Sequence, residues 1–312
     1  MSPRGWQRSA RLAALVLFML SPSLAHGVDG VIEINQARAL AGGVTSGDTP
    51  GYPVTISQPG SYRLTGNLTL PNANLDGIQV AASAVTIDLN HFTIRGPNTW
   101  DGGVTDCSAG GDGRAVFADS AYSGVVVSNG AVVGAGFSGV VLLGNNGRIE
   151  RVIAEQNCFE GLRVGNASLV IDSTSIRNRG YGVTLGPSSR VTGTIANLNH
   201  SGGIRTSGTG YLTVESCITN GNGHDGIIAG IRSTIQGNQV ANNEVNGIVA
   251  DAGSSVLDNI VNGHAGPSIW IISGSAGSGG NVVTHGAGST GFLGSVGHMV
   301  CDLDNGTKVC AP

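Results

Sequence analysis

The chain has 312 residues, a formal net charge of −4, 12% charged and 4% aromatic residues, 52 glycines and a single lysine, Lys308. That balance excludes an electrostatic nucleic-acid binder, which would need a basic stripe. Five cysteines, with neither a Cys-x-x-Cys pair nor a Cys/His set at zinc spacing, exclude a zinc module and leave at least one thiol unpaired within the chain.

Residues 1–25 read as a cleavable secretion signal. Arg4, Arg8 and Arg11 form a basic start, Leu12 to Leu20 is a short apolar run, and Ser23-Leu24-Ala25 offers a small-residue cleavage site before His26. The run is too short for a stable membrane anchor, so the mature protein is expected to be secreted or periplasmic, with no membrane partner. Residues 26–60 read as an N-terminal cap and first strands. Asn35 is a helix N-cap residue, Gln36 to Ala41 are good helix formers, and Gly42-Gly43 is a stop. Such a helix would cover the open end of the first coil, where unpaired strand edges invite aggregation.

Strand-like runs follow at Val54-Thr55-Ile56, Tyr62-Arg63-Leu64, Asn67 to Leu70, Gly77 to Val80, Val85 to Leu89 and Phe92 to Ile94. Residues 96–112 carry no strand pattern and read as a loop inserted at a bend. Trp100, Asp101, Asp106 and Asp112 on it could contact a sugar or a cation, and a solvated glycine-rich flap is the plainer reading.

From Gly139 onward one outline repeats. Glycines at 139, 161, 182, 203, 226 and 247 are followed by Val140, Leu162, Val183, Ile204, Ile227 and Ile248, and a further step lands on Ser268-Ile269. The steps are 21 to 23 residues, and Asn157, Asn178, Asn199, Asn222 and Asn243 stand four residues before their glycines. A fixed period of this length means a stacked repeat. The residue after each apolar one varies freely and the next is again small or apolar, a period of two that puts alternate side chains inside and outside a strand. Coils of about 21 residues then stack by parallel pairing at ~4.8 Å. The asparagines fall in register, where their amides can bond to the bend backbone and to one another. The many glycines are expected to supply positive φ angles at the bends.

At the C-terminus, Cys301 to Cys310 is symmetric about Asn305-Gly306, the strongest two-residue hairpin signal. Residue 304 then faces 307, 303 faces 308, 302 faces 309, and Cys301 faces Cys310 within disulfide reach, which an exported protein can keep. Cys107, Cys158 and Cys217 remain. Their pairing is open, with Cys217 expected as a core thiol between Ser216 and Ile218.

The Asn-x-x-x-Gly-apolar repeat resembles the right-handed parallel β-helix proteins, namely the pectate-lyase-like superfamily and the NosD-type β-helix repeats, over roughly residues 60–290. The resemblance implies an all-β, single-stranded right-handed parallel β-helix: the solenoid over residues 61–290, its loop at 96–112, and a disulfide-stapled cap hairpin over 291–312. Polygalacturonase-type hydrolases of this architecture carry an adjacent Asp pair and an Arg-x-Lys, both missing here, and Gly223-His224-Asp225-Gly226 matches their Gly-His-Gly only faintly. Two opposed carboxylates for hydrolysis do not stand out either.

Stacking would place equivalent residues of successive coils in rows. One row, in the bend between Asn and Gly, holds Glu160, Arg179, His200, His224, Asp225 and Glu244, with Glu160 and Arg179 expected as a surface ion pair. A second, at the outward strand position, holds Arg163, Thr184, Arg205 and Trp270. Arg163 and Arg205, two coils or roughly 9–10 Å apart, could hold carboxylates of an acidic polysaccharide. His200, His224 or Arg205 could abstract the proton α to a uronate carboxylate, with Asp225 beside them; Glu160, Arg179, Glu244 and Trp270 would line the substrate. No metal site or cofactor is evident, and calcium is the one cation this chemistry could use. Three readings therefore stand: an exported polysaccharide-binding β-helix with lyase or epimerase activity, a non-catalytic structural or surface module, and a NosD-like periplasmic metal-maturation factor.

Overall fold

The computed structural model describes residues 30–99, 107–272 and 277–284, together with the backbone of Ala276 and of strands Phe292–Leu293, Val296–Val300, Asp302–Asp304 and Thr307–Val309. The secretion signal, Trp100, Asp101 and Asp106, and the Cys301–Cys310 disulfide lie outside the described residues.

From Gly161 onward each winding carries three short strands, whereas in the windings of Val116 and Val140 the last two run on as single strands, Val126–Val133 and Arg148–Glu155. In the winding of Gly161 these are Leu162–Val164, Leu169–Ile171 and Thr174–Ile176. The first joins an 11-stranded sheet, and the other two form adjoining faces of a 22-stranded sheet. All pairing between windings is parallel, and the column Val140, Leu162, Val183, Ile204, Ile227, Ile248 and Ile269 is in direct register, as the repeat predicts. Ile78 and Val116 extend the column upstream, and Val54 pairs with Ile78, so the stack begins well before the legible repeat. Inward residues of all three strands merge into one aliphatic core.

Where the chain turns, it uses left-handed backbone. Ala167, Asp172 and Arg177 have φ of 53°, 46° and 52°, and they mark the three corners of one winding. An L-residue there costs roughly 1–2 kcal/mol, so something must hold each corner. The residue that follows does so. Ser168, Ser173 and Asn178 are buried, and their side chains accept the backbone N–H of Gly147, Val152 and Asn157 in the winding before, at 2.9, 3.2 and 3.0 Å.

At the Asn corner the ladder is continuous. Asn178 Oδ1 accepts both the backbone N–H and the Nδ2 of Asn157, while its own Nδ2 donates to the Ala154 carbonyl and to Asn199 Oδ1. The pattern repeats through Asn199, Asn222 and Asn243, filling every donor and acceptor of the amide. A second asparagine ladder, Asn238–Asn259–Asn281, runs along another corner and was not legible as a repeat.

Corner glycines such as Gly193, Gly221, Gly237 and Gly263 supply positive φ as the sequence suggests, but the column glycines serve another purpose. None of Gly139, Gly161, Gly182, Gly203, Gly226 and Gly247 has a positive φ. They are there for clearance: a Cβ on Gly161, Gly182 or Gly226 would lie 2.6 Å from Nδ2 of Asn178, Asn199 or Asn243 in the next winding. Each of these glycines thus makes room for the ladder asparagine of the following winding, not for the one four residues before it.

The ends are built as expected in part. The helix runs over Gln36–Ala41, with Asn35 Oδ1 accepting the Arg38 N–H at 3.0 Å. Strands Asp302–Asp304 and Thr307–Val309 pair antiparallel in the register 302↔309, 303↔308, 304↔307. Cys107 is bonded to Cys158, with Cα atoms 5.7 Å apart, which ties the end of the inserted loop to the bend of the Gly161 winding. Cys217 is a free buried thiol that burial pushes up to about 12, so it stays protonated.

His264 takes the next place on the Asn ladder. Its Nδ1 lies 3.2 Å from the Asn243 backbone nitrogen, which can only donate, and Nε2 lies 3.2 Å from the Val240 carbonyl. The ring is therefore the neutral Nε2–H form. Burial holds His264 below its ordinary value, outweighing its bonds to Val240 and Asn243. The unfolded chain takes up this proton first, so the contribution to stability is complete above the ordinary value of 6.5 and declines as pH falls below it. In denaturant unfolding from about pH 7 to about pH 5, His264→Asn should flatten the loss of stability seen in the wild type. Parallel slopes would remove His264 as the cause.

Candidate functional site

The outward face of the 11-stranded sheet carries two rows. At the position before each column glycine stand Asp76, Arg114, Ser138, Glu160, Tyr181, Gly202, Asp225 and Asn246; two residues after it stand Phe117, Val141, Arg163, Thr184, Arg205 and Trp270. Charged and aromatic groups meet where the rows cross.

Glu160 is the centre. Its side chain is fully buried, with Oε1 accepting Thr184 Oγ1 at 2.7 Å and Arg205 Nη2 at 2.9 Å. Oε2 accepts Arg163 Nη1 at 3.3 Å. Arg205 Nε also donates to Thr184 Oγ1 at 3.2 Å, and its guanidinium lies 4.0 Å over the Tyr181 ring. Two guanidiniums thus share one carboxylate, leaving the cluster with a net positive charge. Both arginines are partly exposed, at 36% and 31% of the side chain.

One winding beyond Arg205, His224 Nδ1 lies 2.6 Å from Asp225 Oδ2. Asp225 is nearly buried, and its Oδ1 accepts the Asn246 backbone N–H at 3.1 Å and Nδ2 at 2.6 Å. A carboxylate fixed on Nδ1 orients the ring and leaves Nε2 for proton transfer. Tyr181, Gly202 and Asp225 are direct partners in the sheet, so the Tyr181–Arg205 stack and the His224–Asp225 pair share a row. Gly202 keeps the space between them open: a Cβ there would lie 2.7 Å from the Tyr181 ring.

The bend row expected from the sequence separates into different positions. Glu160 and Asp225 stand directly before their column glycines and are buried, whereas Arg179, His200 and Glu244 stand two residues earlier and are exposed. Glu160 is no surface partner of Arg179; its carboxylate is turned to Arg163 and Arg205. Trp270 is half-buried on the outward row, three strands beyond Arg205. Tyr181, Arg114 and Asn246 were missed; aligning the residue before each column glycine would have found Tyr181 and Asn246, whereas Arg114 precedes Ala115, which stands in the glycine's place. Among the described residues, no group of three or more His, Cys, Asp or Glu is gathered as a metal centre.

Removing Arg205 would leave the fully buried Glu160 carboxylate with only its longer ionic contact to Arg163, and losing the main partner of a buried charge typically costs ~3 kcal/mol. Arg205→Ala should therefore cost about that much in urea unfolding. Arg163→Ala, which loses a longer and more exposed contact, should cost about 1 kcal/mol. Equal, negligible losses would show that Glu160 does not couple these windings.

Residues 138–285 match the family described as the right handed beta helix region. Among solved structures, the chain is similar to the A-module of the Azotobacter vinelandii mannuronan C-5 epimerase AlgE4. The identity is 14% and the TM-score 0.55, covering 79% of this chain and 87% of that one. A variant of the periplasmic alginate epimerase AlgG aligns at 11% identity and TM-score 0.54, covering 79% and 70%. The Dettilon tailspike protein aligns at 15% identity and TM-score 0.52, covering 79% of this chain and 59% of that one. No curated protein sequence matches the chain. Identities this low speak for the fold alone, and in fold the chain is a right-handed parallel β-helix.

Proposed function

We propose that the chain is an exported β-helix that binds acidic polysaccharide along the outward face of its 11-stranded sheet and acts on uronate as a lyase or epimerase. The observation that carries this reading is the Glu160 cluster, where two guanidiniums share one carboxylate on an outward sheet face. Guanidinium donors match a carboxylate in planar, two-pronged fashion, and the Tyr181 face beside them suits the C–H face of a sugar. The basic, apolar and small-residue succession of residues 1–25 supports export. The mannuronan and alginate epimerases among the similar folds support the same substrate class.

The chemistry follows from the row. Arg205, one winding from His224, neutralises a uronate carboxylate, which acidifies the adjacent C–H, while Arg163, two windings further back, is left for the carboxylate of another residue of the polymer. His224, held through Nδ1 by Asp225, takes that proton on Nε2, and the electron pair moves into the carboxylate. In a lyase the pair then expels the glycosidic oxygen, which leaves with a proton, and a carbon–carbon double bond remains. In an epimerase a proton returns to the opposite face. His200, exposed on the bend of the preceding winding, is the other histidine within this reading.

A second reading rests on the same residues. Because Glu160 already holds both arginines, the cluster also serves as a brace between windings in a non-catalytic structural module. One experiment separates the two. Mature protein is incubated in heavy water with a panel of acidic polysaccharides, with and without calcium, and followed for unsaturated products and for deuterium at the carbon α to the carboxylate. Exchange or elimination that His224→Ala abolishes and His200→Ala leaves is the expected result. Neither exchange, product nor retention on any polymer would leave the structural module standing.

A further inference from the structure

Upstream of Glu160, the same face holds a cavity of about 170 Å³ that the chemistry above does not use. Its walls are Phe117, Phe137, Val141 and Leu143, with Arg114 at one end and, at the other, Arg163 beside the Glu160 carboxylate that Arg163 and Arg205 already neutralise. A cavity of about 150 Å³ holds benzene, so this one has room for a single six-membered ring. The walls are apolar enough to take the C–H face of such a ring, and Phe137 is itself fixed by stacking on Phe159 at 4.6 Å. Phe159 follows Cys158, the residue that anchors the inserted loop, so the wall is built on a covalently tied bend.

Both guanidiniums are loosely held by their own carboxylates. Arg114 Nη1 is 3.5 Å from Asp76 Oδ2 and Arg163 Nη1 is 3.3 Å from Glu160 Oε2, at or beyond ordinary hydrogen-bond length, whereas Arg205 sits at 2.9 Å. Arg114 is kept in place by the Phe117 ring, 4.0 Å beneath it. Ser138, fully buried, also lines the cavity, and its Oγ has no hydrogen-bond partner among the described residues. Buried hydroxyls are normally paired, so a polar edge seated here would complete one.

We infer that this cavity is an anchoring subsite for one uronate residue of the polymer, its ring against Phe117 and Phe137 and its carboxylate between Arg114 and Arg163. The inference rests on the acidic-polysaccharide reading above. The cavity centres on the strand Val140–Leu142, and His224–Asp225 stands four windings on, about 19 Å away. A pyranose chain advances by about one winding per sugar, so occupying both places takes on the order of four to five residues.

The test is calorimetric titration with uronate oligomers of increasing length. Wild type should gain affinity steeply once the oligomer spans cavity and dyad. Leu143→Trp, which fills the cavity, and Arg114→Gln, which removes its charge, should each flatten that gain and weaken long oligomers about ten-fold, with short oligomers equally weak in both. Leu143→Trp should keep the wild-type melting temperature. Long oligomers binding both variants as they bind wild type would overturn the subsite while sparing the polysaccharide reading. No binding of any length to wild type would overturn both.

Discussion

Everything in this molecule depends on corners. A chain that winds with three strands per turn must bend three times in about 21 residues, and it bends through left-handed residues that L-amino acids resist. The device that makes this tolerable is a buried side chain directly after the bend, accepting an N–H from the winding beneath: Ser168, Ser173 and Asn178 in one turn of the chain. A backbone donor that the bend would leave unpaired in the core is satisfied, and two windings are joined by the same bond. At the asparagine corner the amide goes further and bonds to its own kind above and below, so a local requirement becomes a continuous column.

The column has a consequence for the outer face. Once the windings are locked in register, residues 21 to 24 positions apart in sequence become neighbours at about 4.8 Å. Glu160 can then hold Thr184 in the next winding and Arg205 in the one after. No local segment could gather these groups. The clearance that lets the asparagines approach comes from glycine, and Gly202, on the adjoining row, leaves room between Tyr181 and Asp225. Core economy and surface chemistry thus draw on the same lack of side chains.

Legibility in the sequence follows from how strictly each corner chooses its residue. The column from Asn157 to Asn243 needs an amide that both donates and accepts, so the same letter recurs and the period shows. The neighbouring corner is served by Ser173, Thr194, Cys217, Asn238, Asn259 and Asn281. Any small side chain fits there, so no letter marks the row. The Cys107–Cys158 bond was illegible for a related reason: Cys107 sits in an insertion that has no register with the repeat. On the face, Arg163, Thr184 and Arg205 were placed correctly because they lie inside the alternating strand. Glu160 was read as a surface charge because bend residues were treated alike. Glu160 stands one residue before its column glycine and Arg179 three before its own, so the bend gives the two side chains different surroundings, one buried and one exposed.

The account stands on the corner side chains coupling each winding to the one before, and native-state hydrogen exchange on Asn199→Ala tests that most directly. Asn199 Oδ1 accepts the Asn178 backbone N–H at 3.0 Å, so the substitution should strip protection from the Asn178 amide one winding away while outward strand amides of the same winding keep theirs. Unchanged protection at Asn178, or a uniform loss across the whole solenoid, would contradict it.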